Sequence, residues 1–173
     1  MRRYFVLVAV ATTAVLSVVG CGSDSDGGSS NTGGSGGGSS LEQCVGSYDE
    51  FTPTEFYAQT TPDKGCSSQS DMTSACANNM PLIVGTCGKG CLNMADEQQC
   101  IADCIQSALT DAHSAELSDA CLTCYGADVA CAKENCLAAC GLNPTSQTCA
   151  TCRAEKGCAD AFYECSGLPD PGT

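Results

Sequence analysis

The chain has no tryptophan, a single histidine, few aromatic residues and only seven lysines and arginines. Few large side chains and many small ones leave little apolar surface to bury, so an ordinary hydrophobic core is not expected to hold this chain by itself. Against the seven cations stand twenty Asp and Glu, a formal charge of −13. That sign argues against binding nucleic acid, or an anionic membrane surface by charge, because both are negative themselves. The acidity reads as solubility. The lone histidine, His113, lies in the polar connection Thr110 to Leu117 beside Asp111 and Glu116, with no placed partner, and reads as a surface residue. No CxxCH motif occurs, which excludes covalent attachment of a c-type haem. A Gly-rich phosphate loop, a zincin motif and a serine nucleophile elbow are all missing, and scattered acids do not make a carboxylate-pair hydrolase. No catalytic constellation is recognised, so the chain is not read as an enzyme and no cofactor is assigned.

Long apolar runs are missing too. The longest, Tyr4 to Val19, has 16 residues and is shorter than a typical spanning helix. Preceded by Arg2-Arg3, it has the charged start and short apolar stretch of an export signal. It ends in Leu16-Ser17-Val18-Val19-Gly20-Cys21, which resembles the lipobox of bacterial lipoproteins. The resemblance implies that residues 1–20 are removed, that Cys21 is lipidated as the new N-terminus, and that the remainder is exported and joined to a membrane by its lipid. Arg2-Arg3-Tyr4-Phe5 has a faint twin-arginine look, but the general secretory route fits better. Loss of Arg2 and Arg3 leaves five cations against twenty acids, or −15. Gly22 and Ser23 lack the aspartate that favours inner-membrane retention in enteric lipoproteins, which tilts the expected location to the outer membrane.

Residues 21–40 comprise the lipidated cysteine and a Gly/Ser segment that cannot offset its own ordering entropy. A disordered leash is expected, with a root-mean-square reach of about 25 Å. The folded domain is expected over residues 41–168, followed by a short tail at 169–173. Helices are expected from Thr52-Pro53-Thr54-Glu55, with Phe51, Phe56 and Tyr57 packing nearby; from Asp71 to Asn79, capped by Ser70 and stopped by Pro81; from Ala95 to Leu109; from Ser118 to Cys140; from Thr145 to Arg153; and from Cys158 to Cys165. Gly85, Gly88 and Gly90 are expected to break any helix after Pro81, and Gly141 to take the left-handed position past Cys140.

What the chain has in abundance is cysteine, seventeen in all. Setting Cys21 aside for lipid leaves an even sixteen, and in an exported chain that density points to a disulfide scaffold. Two stretches share a spacing: Cys87-x3-Cys91-x8-Cys100-x3-Cys104 and Cys136-x3-Cys140-x8-Cys149-x2-Cys152. Cysteines three or four apart share a helix face, so each set suits an antiparallel hairpin with two nested bridges. The expected pairs are Cys91 with Cys100, Cys87 with Cys104, Cys140 with Cys149, and Cys136 with Cys152. Cys44, Cys66, Cys76, Cys121, Cys124, Cys131, Cys158 and Cys165 are expected to be structural, without assigned partners. The first three cysteines of the two sets are offset by 49 residues, consistent with an internal duplication.

A rival reading gives Cys121-Leu-Thr-Cys124 and Cys149-Ala-Thr-Cys152 thiol chemistry, either disulfide exchange or a thiolate metal site. No βαβ pattern surrounds either motif, and exported cysteines are normally oxidised. No metal is therefore assigned. Tyr125, Phe162 and Tyr163 read as core packing.

At Cys121-Leu-Thr-Cys124-Tyr125, Asn135-Cys136-Leu137, Cys149-Ala-Thr-Cys152 and Phe162-Tyr163-Glu164-Cys165-Ser166-Gly167-Leu168, the chain resembles predicted cysteine-rich lipoproteins of myxobacteria-like species. The likeness spans most of residues 76 to 168 and implies architecture and location only. The expected protein is a lipid-anchored, all-α, disulfide-rich domain of helical hairpins, a binding or structural module in the cell envelope. Its partner would be a protein or glycan whose identity the sequence does not carry.

Overall fold

The computed structural model describes residues 41–172; Cys21, the apolar leader and the Gly/Ser segment lie outside the described residues. A 3₁₀ turn at Gly46–Tyr48 precedes seven helices: α1 (Pro53–Gln59), α2 (Gln69–Ala77), α3 (Met80–Cys91), α4 (Glu97–Asp111), α5 (Asp119–Cys140), α6 (Gln147–Glu155) and α7 (Cys158–Ser166). No strand occurs among the described residues. The domain is all-α and disulfide-rich. Helix α5 is its axis, in contact with α3, α4, α6 and α7.

Local chemistry accounts for most helix starts. Thr52 and Glu55 form a reciprocal capping box, with the Glu55 amide donating to Thr52 Oγ1 and the Thr52 amide to Glu55 Oε2. Asn79, Asp96, Ser118 and Ser146 each accept from an amide three residues on. Helix α2 is capped by Ser68, two residues before the expected Ser70. The left-handed Gly167 closes α7, its amide donating to the Tyr163 carbonyl.

Three expectations are corrected. Pro81 does not stop a helix; it lies at the start of α3, where its missing N–H costs nothing. Gly85, Gly88 and Gly90 do not break the chain but lie within α3. Two of them are there for close approach: a Cβ at Gly85 would lie 2.3 Å from the Pro144 ring, and one at Gly88 would lie 2.8 Å from a Val129 methyl. Tertiary packing thus overrides poor intrinsic helicity. Gly141 is right-handed (φ −61°), and α5 is instead interrupted at Cys136 (φ −129°, ψ 15°), the residue bridged to Cys152.

All sixteen cysteines of the described residues are paired. Cys87–Cys104 and Cys91–Cys100 staple the α3–α4 hairpin; Cys136–Cys152 and Cys140–Cys149 staple the end of α5 to α6. The other four bridges join distant segments. Cys44–Cys76 fastens the N-terminal turn to α2, Cys66–Cys121 the α1–α2 loop to α5, and Cys124–Cys165 and Cys131–Cys158 hold α7 along α5.

A buried polar knot joins α2 and α4 to the connection between α4 and α5. The Asp71 side chain is wholly buried and accepts from the Ser118 amide (2.7 Å), the Ser118 hydroxyl (2.8 Å) and the Ser68 hydroxyl. Ser74 donates to the Ala115 carbonyl, Asn78 to Ser114 Oγ, and Gln106 makes a pair of hydrogen bonds with the Leu117 backbone. The irregular connection between α4 and α5, which includes left-handed His113 (φ 55°), is thereby fixed through its own backbone.

Candidate functional site

Helices α3, α5, α6 and α7 meet around a groove with a cavity of about 120 Å³. Its walls are mostly apolar: Met80, Val84 and Gly88 from α3, Val129 and Ala132 from α5, Pro144 and the Cys140–Cys149 bridge from the hairpin end. The bridges Cys136–Cys152 and Cys140–Cys149 fix the α5–α6 end, and Pro144 and Val129 pack it on Gly85 and Gly88 of α3. Leu137, half exposed just past the break at Cys136, stands among the lining residues.

Four aromatic side chains also line it. Tyr125 packs on Phe162 at a ring separation of 4.9 Å, Phe162 on Tyr163 at 5.3 Å, and Tyr48 enters from the 3₁₀ turn. The packing expected for Tyr125, Phe162 and Tyr163 is present, and the same rings face a groove. Tyr125 is 4% exposed, and its hydroxyl is the buried side-chain group without a hydrogen-bond partner among the described residues. Burial foremost, with Asp128 and Tyr163 adding to it, pushes its phenol far above the ordinary range. Burial raises Tyr48 well above it and Tyr163 to about 12. All three phenols are therefore protonated donors at any ordinary pH.

The groove's charges are largely spent on each other. Arg153 binds Asp128 through both its Nη2 (2.8 Å to each carboxylate oxygen) and its Nε (3.2 Å), and Lys133 pairs with Glu97. Lys89, exposed at the edge, makes no ion pair among the described residues.

Two consequences can be measured. An unpartnered buried hydroxyl carries a desolvation penalty, so Tyr125→Phe is expected to stabilise the domain by about 1 kcal/mol, read as a higher urea midpoint. A lower midpoint would mean that the hydroxyl has a partner in solution. Burial pushes the Asp128 carboxyl up although Arg153 opposes it, so its contribution is complete below the unfolded carboxylate pKa and is lost as pH rises through the folded value. Glu55, held down by its backbone and side-chain hydrogen bonds to Thr52, behaves oppositely and loses its contribution as pH falls. Carbon-detected titration should place Asp128 above about 3.9, with the Arg153 Nε–H shift following it. A midpoint at or below that value would contradict the burial argument.

The thiol-bearing motifs fall apart spatially as chemical units. Cys121 is bridged to Cys66, Cys124 to Cys165, Cys149 to Cys140 and Cys152 to Cys136, so neither CxxC is an internal pair. His113 is exposed. Nothing in the sequence singled out Tyr48, Asp128, Arg153 or the α3 glycines as one site, since they come together only through the order of helix packing. No family model, no curated protein and no solved structure matches the chain.

Proposed function

We propose that this chain is a lipid-anchored protein of the cell envelope, held by Cys21 on the Gly/Ser leash at the outer membrane, and that its stapled helical domain is a binding module. The observation that carries the binding reading is the largely apolar groove between α3, α5, α6 and α7, lined by Tyr48, Tyr125, Phe162 and Tyr163. The anchoring reading rests on Leu16 to Cys21 and on the Gly/Ser run after it. No helix of the described residues is long and apolar enough to cross a membrane.

The decisive experiment is the intact mass of the membrane-extracted protein, alkylated before any reduction. The expected species begins at acylated Cys21, is sixteen hydrogens lighter than its reduced form, and takes up no alkylating reagent. Cys21→Ser should move the protein from the membrane to the soluble fraction. Alkylation of two or four cysteines would instead favour the rival thiol-active function, metal-binding or redox, and an unacylated N-terminus would reject the anchor.

A further inference from the structure

We infer that the Cys124–Cys165 bridge is a redox-sensitive latch: a dithiol donor opens it while the other seven bridges stay closed, and its opening loosens the end of α7 together with the α1–α2 loop. This goes beyond the binding-module reading and does not depend on it.

Exposure singles this bridge out. Of the sixteen cysteines among the described residues only Cys165 is exposed, and each of the other seven bridges joins cysteines that are buried or half-buried. Cys165 lies within α7 and its carbonyl accepts from the Gly65 amide at 2.9 Å, so its accessible surface belongs mostly to the side chain. Cys124 is only 2% exposed, and the Gly65 backbone lies over its sulfur: a Cβ at Gly65 would come 2.6 Å from Cys124 Sγ. A thiolate must reach one sulfur of a disulfide, so attack falls on Cys165. The donor thiolate bonds to Cys165 Sγ as the bridge breaks, and Cys124 leaves with the electron pair and takes up a proton. The donor's second thiol, deprotonated, then attacks the donor sulfur of the mixed disulfide and releases Cys165, which is protonated in turn. Two electrons pass to the protein and the donor leaves as a disulfide. The buried bridges are reached only after local opening, which slows them.

The structure around the bridge sets what its opening releases. The Gly65 and Cys66 amides donate to the Cys165 and Ser166 carbonyls, and the Thr61 amide donates to the Gly167 carbonyl at 2.7 Å. This seam joins the end of α7 to the α1–α2 loop. Cys131–Cys158 still holds the start of α7, and Cys66–Cys121 still holds the loop to α5. The frame therefore survives while the seam loosens.

The test treats the membrane-extracted, fully bridged protein with limiting dithiothreitol, quenches with an alkylating reagent at intervals, and maps the labelled peptides. Cys124 and Cys165 are expected to be labelled at least about 10-fold faster than any other pair, giving a two-thiol intermediate. In that intermediate the Thr61, Gly65 and Cys66 amides should exchange about 10-fold faster or more, with the α3–α4 hairpin unchanged. The double variant Cys124→Ser/Cys165→Ser should show the same fast exchange without reductant. Should that variant fail to fold, the intermediate of the unmodified chain decides alone. Labelling of another pair first, or loss of all bridges without a two-thiol intermediate, overturns the inference. A two-thiol intermediate with unchanged exchange at Thr61, Gly65 and Cys66 overturns it as well, since the bond would then open without releasing anything.

Discussion

Reduction of the eight disulfides is expected to abolish the helical circular dichroism of the domain at room temperature. Ten of its 23 buried apolar residues are cysteines, so the bridges are themselves much of the core. What is left after them is modest: Phe56, Met80, Ile105 and Leu109 are the largest apolar side chains almost wholly removed from water. Each bridge contributes about 2–4 kcal/mol, mainly by restricting the unfolded chain, against a typical net stability of about 5–15 kcal/mol for a domain. The combined effect, about 16–32 kcal/mol, exceeds the net, so the reduced chain should be unfolded. Cys66–Cys121 and Cys124–Cys165, which close loops of 55 and 41 residues, should matter more than Cys91–Cys100 and Cys140–Cys149, which each close nine. The check is far-ultraviolet circular dichroism in excess reductant, followed by single Cys-pair replacements with alanine. Retention of most of the helical signal after complete reduction would show that packing alone suffices.

The helical hairpins were legible because their signal is local. Cysteines three or four residues apart mark a helix face, and the mirrored spacing of Cys136, Cys140, Cys149 and Cys152 marks two such faces meeting across a short turn. The helix starts at Thr52, Ser118 and Cys158 were legible for the same reason, each within about a residue of the observed boundary. Helix α3 was hidden because three glycines in twelve residues argue against a helix, and only the approach of Pro144 and Val129 explains why they are there. The groove was hidden altogether. Tyr125 and Phe162 read as core, and they are core on one face; that Tyr125 has no partner for its hydroxyl depends on where α3 and α6 lie, which no periodicity encodes. Asp71 was a helix residue among others, with no sign that it would be reached from Ser118, 47 positions away.

That carboxylate gives the largest effect expected of a single substitution outside the cysteines. Ser68 and Ser118 each cap a helix by accepting from an amide three residues on, and each donates its own hydroxyl proton to Asp71 Oδ2. One carboxylate thus orients both caps, while its second oxygen takes the Ser118 amide at 2.7 Å. Its charge also lies at the start of α5, where the helix dipole favours it. Asp71→Ala removes three accepted hydrogen bonds and strands a buried amide, which is expected to cost about 3–5 kcal/mol, as in other broken buried charge networks. Asp71→Asn keeps one acceptor but turns an amide donor towards donors, and should cost nearly as much. Urea denaturation of both variants, combined with Ser118→Ala, checks the argument. If the carboxylate acts through the caps, the losses from Asp71→Ala and Ser118→Ala will be clearly less than additive, since both remove the bond between the Ser118 hydroxyl and Asp71 that orients the α5 cap. Additive losses, or a cost under about 1 kcal/mol for Asp71→Ala, would mean that the caps hold without it and that the bridge Cys66–Cys121 fixes the start of α5 in its place.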